Sequence, residues 1–440
     1  MKFPNYKNKK VLILGLGLLG RGVKDAIFFA EKGASVTVTD LKSKEELTES
    51  LEKLKPYDIK YTLGEHKKED IIGSDLIIRN AAVPADSKFL KLAQKHKIPV
   101  EMDESLFAKY CPCPIIGITG TRGKTTTTIL LGEVLKENIK DKNILVAGNL
   151  QGQATLPLID QVKKDDIVIL ELSSWQLQGF EKNEISPQIA IFTNVYPDHL
   201  NSYKTIKEYV ADKKNIYKFQ KKSDHCILNK ENGYTNKLEK EVPSQITWFR
   251  KKDVPKKLKT KLLGNHNLEN IAATLAVTKI LDIPIEQVIK SIEKFKGVPH
   301  RQEFVKNING IDFINDTTST TPIAGKKALD SITTPIILIA GGATKNLNLN
   351  PFAKAITKEC KAVILLEGTA TDELERKIRK NGGKELIIDR FDDFQAAIEK
   401  AYSLALPNDT VLLSPGAASF GIFANEFDRG DQFKRIVNQL

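Results

Sequence analysis

Short apolar runs alternate with amphipathic segments along most of the chain, and glycine-rich or polar turns separate them. The apolar runs predict buried strands, and the helical periodicity of the longer segments predicts helices. Because strands and helices alternate, the pattern predicts an α/β fold with parallel sheets. The predicted strands that matter most for function lie at residues 11–14, 35–39, 114–118, 143–148, 166–171, 189–194, 335–340 and 410–413.

A chain of 440 residues is long enough for several domains at ~150 residues each. We predict a Rossmann-like domain at residues 1–110, a central P-loop-type domain at 111–298, and a C-terminal Rossmann-like α/β domain at 299–440. The stretch Cys111-Pro-Cys-Pro114 predicts a stiff linker at the first border. Asn309-Gly310, between two apolar runs, predicts a hairpin early in the third domain.

Composition narrows the class of protein. The net charge is +12, but the basic residues are scattered, so a solvated surface explains them better than nucleic-acid binding does. No apolar run reaches the ~18 residues that a membrane helix needs. The four cysteines have neither disulfide-framework nor zinc spacing, which favours a reducing compartment. We therefore expect a cytoplasmic monomer with no nucleic-acid partner and no membrane span.

The strongest chemical signal is the stretch Gly117-Ile-Thr-Gly-Thr-Arg-Gly-Lys-Thr125. It lies between a predicted strand and a predicted helix, so its glycines let backbone N–H groups approach an anion at the helix N-terminus. Lys124 would reach the β- and γ-phosphates of a nucleotide, and the Thr125 hydroxyl would bind Mg²⁺. Ile118 stands where the usual phosphate-loop pattern begins with glycine, and the alternative is a turn that binds nothing.

Polar side chains follow the next strands of the same domain. Asn149 follows one predicted strand, Glu171 ends the next, and Asp198-His199 follows a third. Because the carboxyl ends of parallel strands meet at one edge of a sheet, we expect these groups near the phosphate loop, with Glu171 suited to Mg²⁺. From the residues alone, Lys213 is a solvated lysine, and Asn270 either caps a helix or contacts a base.

A second glycine-rich turn, Gly15-Leu-Gly-Leu-Leu-Gly20, lies between the first predicted strand and helix, and Asp40 ends the second strand. This spacing is typical of dinucleotide-binding domains, in which a pyrophosphate lies on the helix N-terminus and a carboxylate binds the ribose. The site requires only a diphosphate joined to a ribose. NAD, FAD or a UDP-sugar would each satisfy it.

The third predicted domain carries two more such turns, Gly341-Gly-Ala-Thr-Lys345 and Ser414-Pro-Gly-Ala-Ala-Ser419. Together with Lys124 and Arg301, these turns fit an enzyme that joins two substrates by phosphorylating a carboxylate with ATP. An NAD-linked oxidoreductase would explain the first domain but not Lys124. A simple ATPase or GTPase switch would explain only the second domain.

These motifs, in this order over nearly the whole chain, resemble the Mur ligase family. The stretches that carry the resemblance are Gly120-Thr-Arg-Gly-Lys-Thr-Thr-Thr127, Glu171-Leu-Ser-Ser-Trp-Gln-Leu177, Asn194, Asp198-His199-Leu200, Gly264-Asn-His-Asn267, His300-Arg301, Asn315-Asp316 and Leu413-Ser-Pro-Gly-Ala-Ala-Ser419. The resemblance implies a UDP-substrate-binding domain, an ATPase domain and an amino-acid-binding domain. It is greatest to the members that use ATP to add D-glutamate to UDP-N-acetylmuramoyl-L-alanine through an acyl phosphate, in peptidoglycan precursor synthesis.

The resemblance also implies roles for single residues. Lys124, Glu171, His199 and Lys213 would be catalytic, and Thr125, Glu171, His199 and a carbamylated Lys213 would hold Mg²⁺ at two sites. The implied ATP contacts are Gly120, Thr121, Arg122, Gly123, Lys124, Thr125, Thr126, Asn270, Arg301 and Asp316. The implied contacts of the UDP substrate are Gly15, Leu16, Gly17, Leu18, Leu19, Gly20, Asp40, Asn149 and Ser173. The implied contacts of the incoming amino acid are Thr320, Lys345 and Ser419.

Some positions differ from the common family pattern. Thr318 stands where the members that add D-glutamate often carry Lys, and Asn425-Glu426-Phe427 replaces an Asn-Phe-Glu order. The identity and stereochemistry of the amino acid therefore stay open. The alternatives are another Mur-type or folylpolyglutamate-type ligase, or a non-catalytic UDP-sugar- or NAD-binding protein.

Overall fold

The computed structural model describes residues 3–18, 20–150, 154–196, 203–262, 264–345, 347–419 and 423–440. The chain divides into two compact units, one of residues 1–256 with 268–291 and one of residues 257–267 with 292–440. The first unit contains two sheets and the second unit contains a third sheet. Within the described ranges, each helix is too short or too polar to cross a bilayer.

The first sheet is built from the N-terminal part of the chain. Its elements are β1 (Lys10–Leu14), α1 (Arg21–Glu31), β2 (Ser35–Asp40), α2 (Thr48–Leu54), β3 (Ile59–Leu63), α3 (Lys68–Ile72), β4 (Leu76–Arg79), α4 (Lys88–Lys95), β5 (Val100–Glu101) and α5 (Asp103–Tyr110). The five strands are parallel in the order β3-β2-β1-β4-β5. The strands expected at 11–14 and 35–39 are confirmed. The order reverses direction between β1 and β4, which is where open α/β sheets bind ligands.

The second sheet has six parallel strands in the order β11-β10-β9-β6-β8-β7. Its elements, with two following helices, are β6 (Ile115–Thr119), α6 (Lys124–Asn138), β7 (Ile144–Gly148), β8 (Ile167–Glu171), α7 (Ser174–Lys182), β9 (Ile189–Phe192), α8 (Ile206–Lys214), β10 (His225–Asn229), β11 (Gln245–Phe249), α9 (His266–Ile280) and α10 (Ile285–Lys294). Strand β6 lies between β8 and β9, so the phosphate loop that follows it is flanked by two strand ends.

The third sheet also has six strands, in the order β12-β13-β17-β14-β15-β16. Its elements are β12 (Glu303–Ile308), β13 (Ile311–Asn315), α11 (Pro322–Leu329), β14 (Ile336–Gly341), α12 (Asn350–Glu359), β15 (Cys360–Leu366), α13 (Thr371–Lys380), β16 (Ile387–Phe391), α14 (Phe394–Leu404), β17 (Thr410–Leu413) and α15 (Glu426–Gln439). The other strands of this sheet pair in parallel, and the exception is the edge strand β12, which pairs antiparallel with β13. The hairpin predicted at Asn309-Gly310 causes this exception, and both residues have positive φ.

A buried ionic cluster lies between the first and second sheets. Arg21, at the start of α1, faces Glu104 and Asp103 of α5, with Nε 3.3 and 3.8 Å from the two carboxylates. Asp25, one turn further along α1, is buried, and its Oδ1 atom has no hydrogen-bond partner. Burial, together with Asp103 and Glu104, raises the pKa of Asp25 well above its usual value, although Arg21 acts in the opposite direction.

The buried cluster makes Asp25 a source of pH-dependent instability. Because its pKa is raised in the folded chain, folding takes up a proton, and stability falls as pH rises above the unfolded value. We expect Asp25→Asn to raise the thermal midpoint by about 2 °C or more near about pH 8, and the gain to shrink towards about pH 4. Differential scanning fluorimetry across this range checks it, with exposed Asp58→Asn as the control. A lower midpoint for Asp25→Asn near pH 8 would contradict it.

Candidate active site

The phosphate loop joins β6 to α6. Strand β6 is buried along its whole length, and α6 begins at Lys124. Gly120 and Gly123 have φ values of 145° and 83°, which side chains rarely tolerate. A Cβ atom on Gly120 would lie 1.9 Å from Thr193 Oγ1, so this position also lacks room for a side chain. Gly120 and Gly123 therefore allow the backbone conformation that the loop requires.

The segment after β9 holds the loop in this path. The N–H of Thr121 donates to the Asn194 carbonyl, and the N–H of Arg122 donates to Asn194 Oδ1, each at 2.9 Å. Thr193 Oγ1 donates to the Arg122 carbonyl at 2.7 Å, and Asn194 Nδ2 donates to the same oxygen. In the sequence, Asn194 is only one part of a family motif, with no role predicted for it. Its structural task is to fix the loop.

Two lysines converge on one carbonyl of the loop. Lys124 Nζ donates to the Gly120 carbonyl at 3.0 Å, and Lys213 Nζ donates to the same oxygen at 2.9 Å. Lys213 is only 1% exposed, so its interpretation as a solvated lysine is wrong. Tyr209, one helical turn before it, lies under the ammonium and donates its hydroxyl to Thr121 Oγ1. Sequence reasoning missed Tyr209, for which the only signal is its spacing from Lys213 on α8.

Glu171 lies at the carboxyl end of β8, beside the strand that leads into the loop. Ile118 is its partner in β6, and the N–H of Leu172 donates to the Ile118 carbonyl at 2.8 Å. The Glu171 side chain is buried, and its Oε1 accepts from Asn149 Nδ2 at 3.1 Å. Among the described residues, its Oε2 has no hydrogen-bond partner. A buried carboxylate oxygen without a donor costs free energy unless a cation or donor satisfies it. Sequence reasoning predicted that Asn149 and Glu171 lie together, and they do.

Asn270 approaches the loop from α9. Its Oδ1 atom accepts from Thr127 Oγ1 at 3.2 Å and lies 2.3 Å from the position that a Cβ on Gly123 would take. Asn270 is inside α9, so the option that it caps this helix is wrong. Its contact with a base stays a prediction. Thr125 and Thr126 are half-buried in the first turn of α6.

Two of the predicted contact residues lie outside the part of the chain that the structure describes, and a third already caps a helix. His199, with Asp198, and Leu19 lie outside the described residues. Ser173 is the N-cap of α7 and accepts from the N–H of Gln176, which already gives it a structural task. Among the residues that the structure does describe, no three carboxylate, Cys or His side chains form a metal-binding group. Of the residues expected to hold metal, the structure describes Thr125, Glu171 and Lys213.

The glycine-rich turn of the first sheet has the geometry of a ligand-binding turn. Gly15, Gly17 and Gly20 have φ values of 88°, 68° and 81°. Asp40 Oδ2 accepts from the N–H of Gly17, and its Oδ1 accepts from the N–H of Lys42, each at 2.9 Å. Asp40 thus braces the turn, and its contact with a ribose stays a prediction. Leu16 is buried, whereas Leu18 is exposed.

A small, partly open pocket adjoins this turn at the ends of β1 and β4. Its polar lining includes Arg21, Asp25, Arg79 and Asn80. Arg79 is buried, and its guanidinium donates to the Val83 carbonyl and to Gln178 Oε1, each at 2.9 Å. The pocket lies at the position where the strand order reverses.

In the second unit, two of the three predicted amino-acid contacts line another small pocket. Thr320 and Lys345 line it, and Lys345 Nζ donates to Thr320 Oγ1 at 2.9 Å. Ser419 lies beyond this lining, and its buried Oγ has no hydrogen-bond partner. Of the two residues expected to contact ATP from this unit, Arg301 is exposed and Asp316 is buried. Their contact with ATP stays a prediction.

Asp316 and Arg429 are two of the buried charged groups of the second unit. Asp316 accepts from Ser414 Oγ and from the N–H of Gln302, and burial raises its pKa to about 6. Arg429 donates from Nε to Thr317 Oγ1 and from Nη2 to the Thr317 carbonyl, and burial lowers its pKa to about 10. Sequence reasoning missed Arg429, because it occupies one position of an ordinary amphipathic helix.

The packing of Gly120 generates a prediction. We expect Gly120→Ala to weaken ATP binding at least about tenfold, because a methyl group would clash with Thr193 and strain the loop. Isothermal titration calorimetry with a non-hydrolysable ATP analogue and Mg²⁺ checks it. Gly233→Ala is the matched control, since no atom lies within 4 Å of its Cβ position. Equal affinity of Gly120→Ala and the unmodified chain would show that this close contact is unimportant.

Models of protein families match three parts of the chain. Residues 9–101 match the Mur ligase MurD-like N-terminal domain, residues 118–251 the Mur ligase middle domain, and residues 300–416 the Mur ligase glutamate ligase domain. Among solved structures, the UDP-N-acetylmuramate–alanine ligase MurC of Thermotoga maritima matches with a TM-score of 0.58 and 20% identity, covering 98% of this chain and 100% of that one. At that identity the likeness establishes the fold alone, which is the three-domain α/β fold predicted from the sequence.

Curated relatives match the chain from end to end. A protein of Roseiflexus sp. (strain RS-1) is 37% identical and covers 98% of this chain and 99% of its own length. One from Borreliella afzelii (strain PKo) is 36% identical with complete coverage of both. Both are named UDP-N-acetylmuramoylalanine–D-glutamate ligase. With this similarity and the phosphate-loop geometry, the chain belongs to the Mur ligase family.

Proposed function

We propose that the chain is an ATP-dependent, ADP-forming amide ligase that adds D-glutamate to UDP-N-acetylmuramoyl-L-alanine in peptidoglycan precursor synthesis. Two relatives that match the chain over almost their full length are named UDP-N-acetylmuramoylalanine–D-glutamate ligase. The geometric observation that carries the proposal is the phosphate loop beside Glu171, which keeps a buried carboxylate oxygen without a partner. Phosphoryl transfer requires such an arrangement of loop N–H groups, an ammonium and a carboxylate that holds a metal.

In this proposal, each of the three domains binds a different substrate. We assign the UDP substrate to residues 1–110, ATP to residues 111–298 and the amino acid to residues 299–440. The three matched family regions lie inside these borders. The turn Gly15–Gly20 supports the first assignment, and Lys345 beside Thr320 supports the third. The four free cysteines support a reducing cytoplasm, and a monomer remains our expectation.

The first chemical step forms an acyl phosphate. A carboxylate oxygen of the UDP substrate attacks the γ-phosphorus of ATP, the bond from that phosphorus to the β–γ bridging oxygen breaks, and ADP leaves. The first-turn N–H groups of α6 and the ammonium of Lys124 stabilise the negative charge on the phosphoryl oxygens. Lys124 is already held at the loop by the Gly120 and Thr121 carbonyls.

The residues at the loop also fit Mg²⁺. The buried, unpartnered Oε2 atom of Glu171 is a ligand of the kind that Mg²⁺ prefers, and Thr125 lies in the first turn of α6. When bound, Mg²⁺ neutralises charge on the triphosphate. A carbamylated Lys213 would supply a further carboxylate, and His199 completes the set that the family resemblance implies.

In the second step, the amine of the amino acid attacks the acyl carbon. The tetrahedral intermediate then collapses, the carbon–oxygen bond to the phosphate breaks, and the amide forms with loss of a proton and inorganic phosphate. We propose that Lys345, Thr320 and Ser419 bind the carboxylates of the amino acid. Exclusion of water protects the acyl phosphate from hydrolysis.

The proposal predicts a defined substrate requirement. We expect phosphate release only when ATP, Mg²⁺, UDP-N-acetylmuramoyl-L-alanine and D-glutamate are all present. Lys124→Ala should lower kcat by about 100-fold or more, because the transition state loses a positioned cation. Lys136→Ala is the control, since Lys136 is an exposed lysine of the same helix.

A phosphate-release screen with other UDP-sugar acceptors and with D- and L-amino acids separates the alternatives. Turnover with a different amino acid would mean that this amino acid takes the place of D-glutamate in the proposal. Thr318 is a reason to compare amino acids, because it stands where the members that add D-glutamate often carry Lys. Its hydroxyl donates to the His300 carbonyl. Absence of turnover with every combination would favour a non-catalytic nucleotide-binding protein.

The proposal also predicts a carbamate on Lys213. The amine attacks CO₂ and loses a proton, which places a carboxylate beside the phosphate loop. We expect a carbamate resonance in ¹³C NMR of the protein equilibrated with ¹³C-bicarbonate, and we expect Lys213→Ala to abolish it. Lys214→Ala is the control, because Lys214 is adjacent in sequence but pairs with Glu241. A spectrum in which the unmodified protein and Lys213→Ala are identical would remove the carbamate from the proposal.

A further inference from the structure

Arg21 connects the glycine-rich turn of the first sheet to the second sheet. It is the first residue of α1 and directly follows Gly20, which ends the turn. Its side chain points inward, and Nη2 donates to the carbonyl of Gly148 at 3.0 Å. Gly148 is the last residue of β7. The guanidinium of Arg21 therefore joins the N-terminus of α1 to the end of β7, the strand that pairs with β8 and its Glu171.

The backbone at Gly148 positions Glu171. Gly148 has a φ of 95°, and a Cβ atom on it would lie 2.1 Å from the carbonyl oxygen of Glu171. The next residue, Asn149, donates its N–H to that carbonyl at 2.8 Å and its Nδ2 to Glu171 Oε1 at 3.1 Å. A shift of the Gly148 carbonyl would thus be passed directly to the Glu171 carboxylate.

Two carboxylates keep Arg21 in this position. Glu104 and Asp103 face its Nε, and each is itself anchored in the second domain. Gln176 of α7 donates its Nε2 to Glu104, and the N–H of Thr155 donates to Asp103 at 2.8 Å. The guanidinium therefore donates a hydrogen bond to a carbonyl through Nη2, while its Nε forms ion pairs with the carboxylates without a hydrogen bond. The planar fork of the guanidinium allows both contacts at the same time.

We propose that Arg21 is a positioning residue that couples the two ligand sites of this unit. Occupation of the turn at Gly15–Gly20 by the UDP-sugar substrate fixes the start of α1, and Arg21 transmits this to Gly148 and Glu171. Binding of the UDP-sugar then strengthens binding of the metal–nucleotide at the phosphate loop, and the reverse holds to the same degree. The inference rests on the proposed function for the identity of the two ligands.

The same helix supplies a matched control. Lys32 follows the end of α1 and pairs with Asp160 of the second domain at 2.6 Å. This ion pair also joins the first domain to the second, but it does not involve Gly148, Asn149 or Glu171. Loss of the Lys32 pair therefore tests whether coupling depends on contacts between the two domains in general or on Arg21 in particular.

Calorimetry measures the coupling without turnover. The dissociation constant of a non-hydrolysable ATP analogue with Mg²⁺ is measured with and without saturating UDP-N-acetylmuramoyl-L-alanine. We expect the unmodified chain to bind the analogue at least about fivefold more tightly when the UDP-sugar is present. Arg21→Lys keeps the charge but loses the fork, so the ratio of the two dissociation constants should fall to near one. Lys32→Gln should keep the full ratio.

The outcomes separate this inference from the proposed function. If both ligands bind but Arg21→Lys keeps the full ratio, or if the unmodified chain has no coupling, the inference is wrong and the proposed function stands. If the unmodified chain binds neither ligand, the proposed function itself fails. If thermal melting shows that Arg21→Lys is not folded, Glu104→Gln serves as the second variant. It removes one anchor of Arg21 and must lower the ratio. An unchanged ratio in that variant would overturn the inference.

Discussion

The polar contact between the phosphate loop and the segment after β9 is the constraint on which the active site depends. The Arg122 carbonyl accepts from Thr193 and Asn194, and the Gly120 carbonyl accepts from Lys124 and Lys213. Protein donors thus occupy carbonyl oxygens of the loop. The first-turn N–H groups of α6 have no intrahelical acceptor and carry the positive end of the helix dipole. The loop therefore presents donors to an anion.

Features that depend on neighbouring residues could be predicted from the sequence. The strand, the glycines, Lys124 and the helix follow one another within a single turn, so their relative positions are set by local backbone geometry. The same reason explains the hairpin at Asn309-Gly310, where both residues adopt the positive φ that the turn requires. The pairing of Asn149 with Glu171 was predictable because parallel strands end at one edge.

Features that depend on packing between distant segments could not be predicted. Lys213 is buried because α8 packs its Tyr209 and Lys213 face against the loop, and a lysine-rich helix gives no sign of this. Strands β3 and β10 are short. Polar residues inside β3 and at both ends of β10 weaken their apolar pattern. Arg429 satisfies its buried guanidinium with Thr317, a partner more than a hundred positions away. Such contacts arise only once the chain is folded.

The buried cluster around Arg21 is better explained by geometry than by stability. Burial raises the pKa of Asp103 to about 7, with Glu104 adding to the effect and Arg21 opposing it, so the Asp103 carboxylate is costly to ionise there. Removing charges from water costs about as much as a buried ion pair regains, and apolar residues of similar volume are often at least as stabilising. An apolar side chain at position 21, however, would give the Gly148 carbonyl no donor. The cluster holds that donor in one place, which connects the first nucleotide-type turn to the carboxylate beside the second.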